Sequence, residues 1–268
     1  MIRKIAVLGG ITKSGVRETL RMVEIYPGEI VAVVGPTGSG KSQLISDIEY
    51  WADGDTPSRR QIQINDQVPA EFAVETSLRR LVAEISQNMN FVIDMSVRDF
   101  LLLHAESRHI ENALEVAKAV VDCANQLTGE PLMMDDSLTA LSGGQSRALM
   151  VADVALLSNA PIVLVDEIEN AGINRLSALR LLAGRGKVVL VVTHDPLLAL
   201  LADKRIVMQN GGMAKLLTAS PSEKVLAGRL QKIDAVLCEL RERIRLGGEL
   251  TPEAIKEVTW PDAQRVSA

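Results

Sequence analysis

Eight residues, Gly35-Pro-Thr-Gly-Ser-Gly-Lys-Ser42, constrain this 268-residue chain more than any other feature. They match G-x-x-x-x-G-K-S at every fixed position, and a continuous apolar run, Ile30–Val34, leads into them. From Lys41 to about Trp51 the pattern turns helical. Strand, glycine-rich loop and helix in that order let backbone N–H groups converge on an anion at the positive end of the helix. Pro36, Thr37, Gly38, Ser39, Gly40 and Gln43 belong to the expected cradle together with Gly35. Lys41 would carry a full charge to the β- and γ-phosphates of a nucleotide, and the Ser42 hydroxyl would ligate Mg²⁺.

The rest of the chain supplies the setting. Ile5–Leu8, Leu20–Ile25 and Gln61–Ile64 read as strands, and strand patterns return at Ile162–Val165, Val188–Val192 and Arg205–Met208. Strand alternating with helix predicts a mostly parallel sheet covered on both faces. Between them, residues 91–160 carry helical periods (Val97, Leu101, Leu102, then Ala113, Val116, Ala117, Val120, Val121) and read as an inserted helical subdomain. After Ser220, the residues Leu226, Leu230, Ile233, Leu237, Leu240 and Ile244 form a heptad seam ended by Gly247-Gly248. That stripe is expected to pack on the chain's own core in preference to a partner. The predicted domains are therefore 1–218 and a helical appendage, 219–268.

Composition removes several classes. Aromatic residues are 3% of the chain and the net charge is −5, a poor match to nucleic acid. Cys123 and Cys238 have no zinc spacing and form no dense disulfide framework, which suggests a reducing, cytoplasmic compartment. No apolar run has the length of a membrane span, so membrane contact is expected only at the inner face through partner subunits.

Ile162-Val-Leu-Val-Asp166-Glu167 places two carboxylates at the end of a buried strand, where open α/β sheets bind ligands. Alone, such a pair is more often a solvated turn. After a phosphate loop, Asp166 is expected to hold Mg²⁺, directly or through water, and Glu167 to take a proton from the attacking water. Leu141-Ser-Gly-Gly-Gln145 offers a second anion cradle, a hydroxyl and amides of Ser142, Gly143, Gly144 and Gln145 before a helix. By itself it is also an ordinary helix cap.

With these motifs in this order, the chain over about residues 1–218 resembles the ATP-binding-cassette ATPases, whose signature is that pentapeptide. The resemblance implies a P-loop NTPase core of that type, an α/β fold with an inserted helical subdomain and a C-terminal helical appendage. It implies ATP and Mg²⁺ as cofactors and ATP hydrolysis as the activity. It also gives roles to Gln87, as a contact to Mg²⁺ and the attacking water, and to His194, as a contact to the γ-phosphate. His104 and His109 read as structural. Two copies, or one copy and a paralogous subunit, would pair head to tail with each ATP between them. The expected client is a membrane permease, making the chain the energising subunit of a transporter. The alternative is a soluble machine acting on a client protein in metal-cofactor or iron–sulfur maturation. Three departures from the family pattern stand out. No aromatic precedes Tyr26 to stack on adenine, leaving Arg17 or a loose hold; Gln43 replaces a common threonine; and Ile168-Glu-Asn-Ala-Gly-Ile-Asn174 replaces a proline and ends in Asn where Asp is usual.

Overall fold

The computed structural model describes residues 2–68, 81–86, 91–166, 168 and 172–250. In chain order, β1 (Ile5–Leu8), β2 (Met22–Ile25), β3 (Ile30–Val34), α1 (Lys41–Glu49), β4 (Gln61–Ile64) and β5 (Val82–Ile85) come first. There follow α2 (Val97–Glu106), α3 (Ala113–Leu127), α4 (Gly143–Leu156), β6 (Ile162–Asp166), α5 (Arg175–Gly184), β7 (Val188–Val192), α6 (Pro196–Leu201), β8 (Lys204–Gln209), β9 (Gly212–Thr218) and α7 (Pro221–Arg245).

The apolar run of β3 lies between β7 and β8, parallel to both. The larger sheet runs β5-β6-β7-β3-β8-β9, parallel except for β9, which lies antiparallel on β8. Successive strand residues point to opposite faces, so one sheet serves two cores. Val31, Val33, Ile162, Leu164, Leu190 and Val192 enter a core shared with Leu44 and Ile48 of α1 and with Ile5, Val23 and Ile62. Ala32, Val163, Val165, Val189 and Val191 enter the other, with Leu101, Val120, Leu149 and Leu182 from four helices. Burial on both faces is why these strands read as unbroken apolar runs.

The early strands depart from the expected single sheet. β1 pairs antiparallel with β2 on one side and β4 on the other, forming a separate three-stranded sheet. The outer strands β2 and β4 alternate, with Val23, Ile25, Ile62 and Ile64 buried, because one face of each reaches the core, whereas the central β1 is buried at Ile5, Ala6 and Val7 in succession. β9 carries no alternation and was not anticipated.

The chain divides into two compact units, residues 1–218 and 219–268. Within the second, α7 starts at a box in which Ser220 Oγ accepts from Glu223 N and Ser220 N donates to Glu223 Oε2, with Pro221 following the cap. It ends at Gly247, φ 74°, where Gly248 N donates to the carbonyl of Arg243. The seam was expected to be covered. Along it, Leu226, Leu237 and Ile244 are 45–59% exposed, while Leu230, Ile233 and Leu240 are partly buried.

Lys187, just before β7, is 6% exposed and donates from Nζ to the carbonyls of Ser158 and Ala160, each at 2.8 Å. Burial, with the positive charge of Arg108 adding to it against Asp153, pushes its ammonium down from 10.5 to about 8. Between those pH values the unfolded chain binds more protons than the folded one, so stability rises with pH. Lys187→Met removes that slope. The stability of wild type relative to the variant is expected to grow from pH 8 to 10.5, by roughly 1–3 kcal/mol. A difference independent of pH, in melts across that range, would show that the buried amine keeps its proton.

Candidate nucleotide site

The site begins at a sheet edge. Asp166 pairs in register with Val192, and Val192 with Val33, on three adjacent parallel strands. The phosphate loop after β3, the carboxylate closing β6 and the Thr193-His194 turn after β7 therefore leave the sheet side by side, at the same height.

The loop is tightly built. Gly40 precedes α1 with φ 99°, and a Cβ there would come within 2.8 Å of Gly211 Cα. Gly35, φ 151°, would place a Cβ 2.5 Å from the carbonyl oxygen of Met208. Both positions need glycine, for conformation and for space. Gly211 N donates to the carbonyl of Ser39, so the β8–β9 turn backs the loop.

Lys41 is buried, and its ammonium donates to the carbonyls of Gly35 (2.9 Å) and Pro36 (3.1 Å). Among the described residues its acceptors are thus neutral atoms of the loop itself. Ser39 Oγ is buried without a hydrogen-bond partner among the described residues. A buried cation held by carbonyls, beside an orphaned hydroxyl, fits an anion better than it fits an empty turn.

Ser42 and Asp166 are the predicted metal ligands within the described residues; Gln87 and Glu167 lie outside them. No cluster of three His, Cys, Asp or Glu side chains among the described residues could hold a metal alone. Mg²⁺ does not require one, since it binds through one or two protein oxygens plus phosphate and water. Glu84 on β5, an exposed residue, has its carboxyl pushed up by partial desolvation first, then by the negative charges of Glu49 and Asp166.

Ser142 caps α4. Its Oγ accepts from Gln145 N (3.2 Å), its N donates to Gln145 Oε1 (2.9 Å), and Gln145 Nε2 donates to the carbonyl of Pro131. The cap leaves Ser142 and Gly143 exposed at the positive end of a fourteen-residue helix. His194 is exposed beyond β7. Asp195 beside it caps α6 through Leu197 N and pairs with Arg175 at 2.5 Å. Asn174 caps α5 by accepting from Ser177 N. Ile168 is buried in the helical core. His104 Nδ1 lies 3.0 Å from Asp153 Oδ1.

Gln43 gains a physical account. Its amide donates to Asp47 Oδ1 (2.8 Å) one turn along α1. Asp47 Oδ2 accepts from Ser58 Oγ (2.7 Å) and from Arg60 (2.8 Å). Arg60 also meets Glu18 at 2.7 Å and donates to the carbonyl of Gly211 at 2.7 Å. Glu18, Asp47 and Arg60 are all buried. Burial raises the Glu18 carboxyl, and Arg60 only partly offsets it. This buried cation between two carboxylates ties α1, the β1–β2 connection and the β8–β9 turn behind the phosphate loop. Sequence reasoning missed Glu18 and Arg60, because no local pattern marks either.

Tyr26 cannot serve the base. It precedes β3 at the end of the sheet opposite the phosphate loop, with Lys204 Nζ 4.9 Å over its ring. Arg17 is exposed on the β1–β2 connection.

The profile of the ABC transporter family matches residues 21–170. An uncharacterized ABC transporter ATP-binding protein of Methanocaldococcus jannaschii is 54% identical over 95% of this chain and 97% of its own length. An ATP-dependent lipid A-core flippase of Hahella chejuensis is 31% identical over 72% of the chain, which spans only 33% of that protein. Among solved structures, an ATP-binding subunit of an ABC transporter shares the fold, with TM-score 0.58 and 23% identity over 97% of this chain and 100% of its own. A family match over more than half the sequence, and a relative this similar along nearly the whole of it, decide the matter: the chain belongs to the ABC transporter family of ATP-binding proteins.

Proposed function

We propose that this chain binds MgATP on the Gly35–Ser42 loop, pairs head to tail with a second copy or a paralogous subunit, and hydrolyses ATP to drive a membrane permease. The observation that carries it is Lys41, buried and, among the described residues, bonded to the carbonyls of Gly35 and Pro36 in its own loop, beside the edge where Asp166 and His194 emerge. The names of the relatives favour a transporter as the client. No described helix is long and apolar enough to cross a membrane, so in this reading the chain reaches the bilayer through its permease.

Lys41 exchanges two neutral carbonyls for phosphate oxygens, which accept a charge-assisted bond more strongly. Ser42, Asp166 and Gln87 would hold Mg²⁺, which when bound offsets negative charge on the phosphates. Glu167 accepts the proton of the attacking water, and His194 faces the terminal phosphate. The exposed Ser142 cradle of a second copy closes the other side of the nucleotide. The terminal phosphate then bridges two subunits, and its loss weakens the bridge and opens the pair.

A composite site makes a distinctive prediction. Lys41→Ala and Ser142→Arg, each inactive alone, break opposite halves of it. Mixed in equal amounts, half the dimers carry one intact site, so ATPase is expected to recover to about a quarter of wild type. Failure to recover, with heterodimers demonstrated by mass spectrometry, would rule out the shared site.

A further inference from the structure

Lys13, on the connection between β1 and β2, has no role in the family pattern discussed above. It is exposed, and its Nζ donates to the carbonyl of Gly38 at 2.7 Å, in the middle of the phosphate loop. Its position is braced from several sides. Lys13 N donates to the carbonyl of Asn210 (2.8 Å), and Asn210 Nδ2 donates to Ser14 Oγ (2.9 Å). Thr12 N donates to the carbonyl of Val16, closing the tip, and Ile11 N donates to the carbonyl of Ser58. At the base of the same connection, Glu18 is pinned by buried Arg60. A Cβ on Gly211 would stand 2.7 Å from Lys13 Cγ, so the lysine stem lies directly on the turn that backs the loop.

Two lysines thus rest on carbonyls of one eight-residue loop: Lys41 from inside, on Gly35 and Pro36, and Lys13 from outside, on Gly38. A neutral carbonyl is a weaker partner for an ammonium than an anionic phosphate oxygen. The exposed stem of Lys13 can change partners without desolvating a charge. We infer that Lys13 is a second nucleotide-binding cation, which leaves Gly38 for the polyphosphate of a bound nucleoside triphosphate. It would bind the charge that all such nucleotides share. Affinity is then set by phosphate rather than by base.

The inference rests on the phosphate-loop reading of the proposed function, and the two can fail separately. Equilibrium dissociation constants for ATP, GTP, CTP and inorganic tripolyphosphate, each with Mg²⁺, are measured on full-length wild type, Lys13→Met, Lys13→Arg and Lys41→Met at low and high salt. Lys13→Met is expected to weaken all four ligands by a similar factor, about tenfold, and to flatten the salt dependence. Lys13→Arg should recover most of the loss. Unchanged affinity, or a loss confined to ATP with tripolyphosphate unaffected, would overturn the role of Lys13 while leaving the loop intact. If Lys41→Met also binds all four like wild type, the loop is not the phosphate site and both readings fall.

Discussion

Glu167→Gln is expected to lower ATP turnover about 10²–10⁴-fold while leaving MgATP affinity within a few-fold of wild type. Glutamine keeps the size and polarity of the side chain but cannot accept a proton from water. Asp166, Ser42 and Lys41 are untouched, so the phosphates and the metal keep their partners. If the terminal phosphate bridges two subunits, a chain that cannot cleave it should accumulate as an ATP-bound dimer. Light scattering after size exclusion, with and without MgATP, reads that directly. Wild-type turnover in the variant would remove Glu167 as the base. Slow turnover without dimer would keep the base and discard the bridging phosphate.

The second large effect is on stability. Arg60→Leu should destabilise the residue 1–218 unit by about 3–5 kcal/mol, because it strands two buried carboxylates with no counter-charge. Glu18 and Asp47 both contact the guanidinium and both are buried. Part of the loss should return in Arg60→Leu with Glu18→Gln, since the carboxylate hardest to leave charged is then gone. The pH dependence has a definite sign. The Glu18 carboxyl is already raised above its ordinary value by burial, and loss of Arg60 raises it further. A folded-state value above the unfolded one means the folded chain takes up a proton first, so the deficit should shrink as pH falls. Urea melts at acidic and neutral pH test this. A deficit below 1 kcal/mol, or one that grows on acidification, would show that the cluster does not bind as a charged unit.

Much of this protein was legible without coordinates, wherever the signal is local. The strand, glycine turn and helix around Gly35–Ser42 are contiguous, and glycine is required there because the backbone turns through positive φ. The cap at Ser142 and the stop at Gly247 depend on bonds spanning only a few residues. Only the tertiary structure decided the rest. Arg60 reaches Asp47 across 13 positions and Gly211 across 151, and Lys13 reaches Gly38 across 25. The separate antiparallel sheet and β9 likewise depend on which edge is free when strands pair. Periodicity reports which face of an element is buried. It carries no information about the distant residue that meets that face, because sheet register and chain crossings set that choice.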